Sequence, residues 1–241
     1  IDNGVDAFRV NCSHGDTDYF KRAARLIREA SRSADWPIAL LFDISGPKLR
    51  LADFNGELQV RQGDRLTLAP HRTDLAARRI SVNHSSIVRA VKPGDRLFVD
   101  DGNLQFKVEE RTSDGLLLTA LNSGKLLPRK GINLPDTLLG LPTITRKDRD
   151  DIRTAVDVGA DFVALSFVRS AKDIKKARRI IKKAGGHQQI IAKLEKREAI
   201  DSLEEIVAEA DGLMVARGDL GVELPLAELP RLQKRIIKLA N

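Results

Sequence analysis

Residues 5–51 and 142–241 alternate short apolar runs with amphipathic stretches of helical period, whereas residues 52–141 do not. That contrast restricts the fold more than any other feature of the chain. Val5–Asn11 predicts a strand, Thr17–Ser33 a helix, and Ile38–Asp43 the next strand. After the interruption, the spacing predicts helices near 146–158, 171–184 and 199–210. Each is followed by a strand, at 161–167, 189–194 and 212–216, and a last helix starts near Leu226. Such alternation builds a parallel sheet covered by helices, because a parallel crossover needs a connection about as long as a helix.

The interruption has its own grammar. Five β-like runs, at 57–60, 65–68, 97–99, 104–109 and 116–120, are separated by turn signals such as Lys92-Pro-Gly-Asp95 and Asp100-Asp-Gly-Asn103. This predicts a small all-β module inserted into an α/β frame. The expected division is 1–51 for the first part of the frame, 52–141 for the module and 142–241 for the second part. Five parallel strands are visible, and a closed (β/α)8 barrel needs eight. The expected fold is therefore α/β, as an open sheet or a partial TIM barrel. The chain opens on Ile1-Asp-Asn-Gly without an initiator Met, so the sequence reading expects the true N-terminus upstream.

Composition narrows the function classes. Charged residues make up 31 % and apolar residues 42 %, as in soluble globular proteins. No apolar run approaches the ~18 residues a membrane span requires. A single cysteine, Cys12, rules out an internal disulfide and a cysteine-built zinc site and fits a reducing cytoplasm. On the apolar face of its strand, Cys12 is expected to pack as a small hydrophobe. The net charge of +7 suits an anionic partner. The densest basic run, Lys172–Lys183, has Ile174, Ala177 and Ile181 on one helical face and no aromatic set for stacking bases. It reads as an ordinary surface helix, and no nucleic acid is expected.

The predicted strands share one oddity. Each apolar run ends in polar or charged residues: Arg9, Asn11 and Ser13; Asp43; Ser166, with Arg169 close behind; Lys193 and Glu195; and Arg217-Gly-Asp219. Residues two apart on a strand share a face, so Arg9, Asn11 and Ser13 line one side, and Lys193 and Glu195 another. Lysine and glutamate closing an apolar run are costly to bury unless paired or bound. The C-terminal strand edge is where parallel α/β proteins bind ligands. Glu195 and Asp219 are hard oxygen donors suited to Mg2+ or Mn2+, and the cations suit phosphate or carboxylate oxygens. His14 reads as an orienting residue. No GxxxxGK[ST] or GxGxxG is present. From the residues alone, the chain is a metal-dependent enzyme acting on an anionic small substrate.

The motifs carry a resemblance. Phe8-Arg-Val-Asn-Cys-Ser-His-Gly15, Asp43-Ile-Ser-Gly-Pro-Lys-Leu-Arg50, Val99-Asp-Asp-Gly102 and Arg129-Lys-Gly-Ile-Asn-Leu-Pro135 resemble segments of the pyruvate kinase family. So do Ala164-Leu-Ser-Phe-Val-Arg169, Ile190-Ile-Ala-Lys-Leu-Glu195 and Met214-Val-Ala-Arg-Gly-Asp-Leu-Gly-Val-Glu223, in the family's order. The resemblance implies a (β/α)8 barrel with a β-rich lid inserted after the third barrel strand. It implies phosphoryl transfer between phosphoenolpyruvate and ADP, giving pyruvate and ATP, in a cytoplasmic homotetramer. Catalytic roles then fall to Lys193 and Arg9, and the divalent ion to Glu195 and Asp219. Substrate contacts fall to Arg9, Ser166, Lys193, Gly218 and Asp219, and nucleotide contacts to Arg50, His14 and Asn11. Asn11, Ser13, Asp43 and Ile44 match the monovalent-cation ligands.

Two departures qualify the match. By the family's plan, one barrel strand before Ile1 and, beyond Asn241, the last strands and a C-terminal domain are not in this sequence. Lys48 stands where potassium-activated members carry glutamate, which implies that K+ is not required. The alternatives are a truncated relative that binds nucleotide or a partner without catalysis, and another metal-dependent pyruvate or phosphoenolpyruvate barrel enzyme such as an aldolase or lyase.

Overall fold

A computed structural model describes residues 4–241; Ile1–Asn3, where the first frame segment was expected to begin, lie outside the described residues. The chain folds into two compact units. The first holds the chain up to Pro47, Pro142–Leu220 and Ala227–Asn241, and the second Lys48–Leu141 and Gly221–Leu226. The first boundary thus falls at Pro47 rather than Leu51. The reason is long-range pairing: Arg50 and Leu51 bridge to Gly131 and Val82, inside the module.

In chain order the elements are β1 (Ala7–Asn11), α1 (Thr17–Ser33) and β2 (Ala39–Ile44), then the module strands β3 (Leu58–Val60), β4 (Arg65–Ala69) and β5 (Arg79–Ser81). A short α2 (Ser86–Ala90) precedes β6 (Arg96–Val99), β7 (Leu104–Thr112), β8 (Gly115–Ala120), β9 (Gly124–Leu126) and β10 (Ile132–Asn133). The α/β rhythm resumes with α3 (Arg146–Asp157), β11 (Phe162–Leu165), α4 (Ala171–Lys183), β12 (Gln189–Leu194), α5 (Arg197–Asp201), α6 (Leu203–Glu209) and β13 (Gly212–Val215). It ends with α7 (Arg217–Glu223) and α8 (Leu229–Ala240).

In the first unit five strands pair in the order β1-β2-β11-β12-β13, all parallel. Neighbours in the sheet are neighbours in the α/β sequence, with no reversal of order. That is the singly wound arrangement of a (β/α) barrel rather than a doubly wound sheet. The helices begin where the sequence supplies caps. Asp16 accepts the Tyr19 N–H at 2.9 Å, and Thr145 with Asp148 and Ser170 with Asp173 form capping boxes. The helix expected over 199–210 is two, because the backbone turns at Ser202 (φ −105°, ψ 22°). The core is made of strand residues such as Leu40, Phe42, Val163, Ile190 and Leu194, covered by Phe20, Ile152, Ile174 and Ile206 from the helices.

The N-terminal edge of this sheet carries one device twice. Asp161 accepts the Leu40 N–H at 2.7 Å and pairs with Arg28 at 2.9 Å, while Arg28 also reaches the Gly159 carbonyl. Asp211 accepts the Ile190 N–H at 2.7 Å and pairs with Arg178 at 3.1 Å, while Arg178 also reaches the Glu209 carbonyl. Each aspartate precedes one strand, caps the N–H of the second residue of its neighbour, and is clamped by an arginine from the covering helix.

The second unit is a six-stranded sheet, β10-β6-β7-β8-β4-β5, with a separate β3–β9 pair. Its pairings are antiparallel except β4–β5. β5, β9 and β10 are too short for their patterning to predict. Leu68, Ile80, Leu97, Phe106, Leu116 and Leu118 fill its core. Gly115, at φ +146°, could not be another residue, since a Cβ there would lie 2.3 Å from the Leu68 carbonyl oxygen.

Candidate active site

The parallel register sets the site. Asn11 sits opposite Asp43, Leu165 opposite both Ile44 and Ala192, and Lys193 opposite Met214. The polar residues that close each strand therefore arrive along one sheet edge. Lys193 is 8 % exposed, Glu195 2 % and Asp43 2 %, and each charge is answered. The Lys193 ammonium donates to Asp43 Oδ1 at 3.0 Å and Ser166 Oγ at 2.8 Å, and lies 2.8 Å from Glu195 Oε1. Three N–H bonds meet three acceptors, which fixes the ammonium's orientation. Asp43 uses its other oxygen, Oδ2, for the Arg9 Nε–H at 2.7 Å. Arg9 stays 55 % exposed along its side chain, so its outer nitrogens can meet an anion.

Burial pulls the Lys193 pKa down, but Glu195 and Asp43 together outweigh it and hold the ammonium above its ordinary value. Burial raises Glu195 above the usual carboxylate range; Lys193 opposes this, and the charge of Asp219 adds to it. The second oxygen of Glu195, Oε2, accepts the Phe167 backbone N–H at 3.0 Å. Phe167 has φ +54°, a left-handed conformation that costs a bulky residue about 1–3 kcal/mol. The Phe167 ring lies where a Cβ on Gly46 would be, 2.6 Å from Cδ2, so Gly46 (φ +67°) must be glycine. Asp148, fully buried, accepts the Gly46 N–H at 3.1 Å and anchors the same turn.

Comparison with known proteins bears on this arrangement. The pyruvate kinase barrel-domain family matches residues 1–241. The chain belongs to the pyruvate kinase family. It is 38 % identical over 241 residues to pyruvate kinase of Clostridium perfringens, covering 99 % of this chain and 51 % of that protein. It is 39 % identical over 242 residues to the Mycobacterium tuberculosis enzyme, covering 100 % and 51 %, and 38 % over 245 residues to that of Geobacillus stearothermophilus, covering 100 % and 42 %. The chain spans about half the length of the curated relatives it matches.

Of the residues the pyruvate kinase resemblance points to, Arg9, Asp43, Ser166, Lys193 and Glu195 form one bonded cluster, and Asp219 acts on Glu195 through its charge. Asn11 accepts the Ser13 N–H, and the Ile44 carbonyl accepts the Ser166 N–H. His14 is exposed. Lys48 and Arg50 fall in the second unit, where Arg50 donates to the Arg129 carbonyl and the Lys48 carbonyl accepts from Asn83. Sequence reasoning missed Phe167 and Asp148. Asp148 had a signal, the Thr145-x-x-Asp148 capping pattern; Phe167 had none, since nothing in its chemistry announces a left-handed backbone.

Membership of this family implies dependence on a divalent ion, and the donor set here fits one. A buried glutamate whose charge is disfavoured by burial and by a second carboxylate gains from a shared cation. Among the described residues no group of three or more His, Cys, Asp or Glu side chains gathers around such a point. Two carboxylates would leave the other positions to water and substrate oxygens, as Mg2+ and Mn2+ prefer.

Proposed function

We propose that this protein catalyses phosphoryl transfer from phosphoenolpyruvate to ADP, yielding pyruvate and ATP. The observation that carries the reading is the buried Lys193 ammonium, held above its ordinary pKa among Asp43, Ser166 and Glu195 at the C-terminal edge of a parallel sheet. Phosphoryl transfer needs positioning and charge stabilisation more than covalent help. In the transfer, the bond between phosphorus and the enol oxygen breaks while a bond to an ADP β-phosphate oxygen forms. The enolate then takes a proton to become pyruvate. A fixed cation beside the moving phosphoryl group stabilises its charge without reorganisation.

Lys193 is that cation. Its three donors are already engaged, so a phosphoryl oxygen must displace one acceptor; the neutral Ser166 hydroxyl is the one whose loss costs least charge pairing. Arg9, braced by Asp43, offers its outer nitrogens to the phosphate. Glu195 and Asp219 would hold the divalent ion, which supplies charge neutralisation to the substrate oxygens when bound. Gly218 and Asp219 would meet the substrate carboxylate, and Arg50 the nucleotide.

The monovalent cation is read differently from that of potassium-activated members. Both Asp43 oxygens already receive cations, and position 48 of the same motif carries an ammonium rather than a carboxylate. We propose that the reaction needs no K+.

The experiment is Mg2+-dependent ATP formation from phosphoenolpyruvate and ADP by the purified protein and its Lys193→Met variant. The wild type is expected to turn over and the variant to lose at least about 100-fold in kcat, on the scale of removing one transition-state donor. No turnover by the wild type would leave a binding role as the better reading. Rates in Na+ and K+ salts of equal ionic strength are expected to agree; a steep preference for K+ would overturn the monovalent reading alone.

A further inference from the structure

Two adjacent residues of one turn grip the two charges that matter most. Ser166 takes the Lys193 ammonium through Oγ at 2.8 Å, and Phe167 gives its backbone N–H to Glu195 Oε2 at 3.0 Å. Because β11 and β12 pair in parallel with Leu165 opposite Ala192, the turn after Leu165 runs past the end of the neighbouring strand, where Lys193 and Glu195 emerge. The Phe167 N–H lies in the peptide plane that joins Ser166 to Phe167, and φ of Phe167, +54°, is the torsion that sets that plane against the ring and the chain that follows. Phenylalanine is a poor choice for such a conformation, which glycine or asparagine adopts with less strain. The strain is held from two sides. The ring packs on the Cα of Gly46 at the exit of β2, and the Lys196 ammonium stands 6.0 Å from its centroid beyond the exit of β12.

From these observations we infer that Phe167 is a positioning residue for divalent-cation binding. With the ring and the following chain held in place, its left-handed φ keeps the Ser166–Phe167 peptide turned so that the N–H meets Glu195 Oε2, fixing the carboxylate so that its remaining lone pairs are presented to the ion. The inference rests on the proposed role of Glu195 as a metal donor. Orienting partners of metal ligands have a known scale of effect: their loss typically costs about 10–100-fold in metal affinity. What is specific here is that the orienting group is a backbone amide, so its identity follows the φ angle and not the side chain.

Mn2+ affinity, read by electron paramagnetic resonance of the free ion without substrates, tests this directly. Thermal unfolding is followed in parallel. Phe167→Ala and Phe167→Gly both remove the ring and differ by one methyl group, but only glycine adopts the left-handed conformation freely. The expected result is a Kd for Mn2+ raised about tenfold or more in Phe167→Ala and restored to within about threefold of wild type in Phe167→Gly. Should the alanine variant fold poorly, Phe167→Leu and Phe167→Asn carry the same contrast, with asparagine tolerating the conformation and leucine not. Equal loss in glycine and alanine, or retention by leucine with loss in glycine, would assign the role to the packed ring and overturn the inference. Absence of Mn2+ binding by the wild-type protein would overturn the metal reading of Glu195 itself, a separate failure that the wild-type measurement identifies first.

Discussion

The parallel sheet and the β module bury different things. The first unit places Asp43, Lys193 and Glu195 of its sheet edge, and Asp148 and Asp151 of α3, under cover along with its aliphatics. Within Lys48–Leu141, Ser81 is the one buried polar side chain among the described residues, and the rest of that core is apolar. An apolar core is stabilised by area and close packing alone. A core that also holds charge has to satisfy each one, and breaking a buried pair costs about 3–5 kcal/mol. Buried charge of that kind is therefore a poor way to gain stability and a good way to hold chemistry in place. The module is built for shape, and the sheet for shape and reactivity.

Truncation of the module's largest core side chain tests that contrast most severely. Phe106→Ala is expected to cost about 3–5 kcal/mol, because a fully buried ring leaves a cavity that neighbours fill only in part. Amide hydrogen exchange should then report lost protection in β7 and β8, with β11 and β12 unchanged. Uniform loss across both units would mean that the two cores do not fold separately.

A smaller effect is expected at the N-terminal sheet edge. Asp211→Ala removes the cap on the Ile190 N–H and the partner of Arg178. The expected cost is about 1.5–3 kcal/mol in denaturant unfolding, the scale for hydrogen bonds to a charged group, with kcat unchanged. Asp161→Ala should behave alike, and the double variant should depart from additivity only as far as the Asp161 carbonyl, which accepts the Gln189 N–H beside Ile190, couples the two clamps. A fall in kcat without a fall in stability would break the separation between the two edges of the sheet.

The smallest effect is one of pH. Burial, with Asp151 adding to it, pushes the Cys12 thiol up from 9.0 to about 12. The folded protein therefore keeps a proton that the unfolded chain releases, and stability falls as pH rises from about 9 towards 12. The loss is at most about 1.4 kcal/mol per pH unit. Urea midpoints at pH 8 and pH 10 would measure it, and Cys12→Ala should flatten this part of the profile. Below pH 8, native Cys12 should resist thiol reagents that label it promptly once unfolded.

Much of this was legible in the sequence, for reasons that differ by element. The pairing of Lys193 with Glu195 follows from two-residue strand spacing, a local rule. Helix α1 was readable to its ends because Asp16 caps it and its apolar stripe is regular. The role of Asp43 as the bridge between Arg9 and Lys193 was not legible, because it depends on which strands are neighbours in the sheet, at separations of 34 and 150 residues. The left-handed Phe167 was not legible either, since tertiary contacts impose it against the residue's own preference. The first module boundary shifted to Pro47 because Arg50 and Leu51 find their partners far along the chain, at Gly131 and Val82.

The repeated clamp has one more consequence. In both copies the arginine precedes the capped strand residue by twelve positions (28 to 40, and 178 to 190), yet the chain between capped N–H and capping aspartate differs greatly. It is 21 residues for Ile190 and Asp211, and 121 for Leu40 and Asp161. The whole β module is threaded through the second span. Closing the longer loop costs only about 1.5 kcal/mol more, because closure entropy grows with the logarithm of length. The clamp thus acts as a socket: it holds two strands in register whether two short helices or an entire domain lies between them. A parallel sheet fastened in this way can acquire a new domain without relearning how to fold.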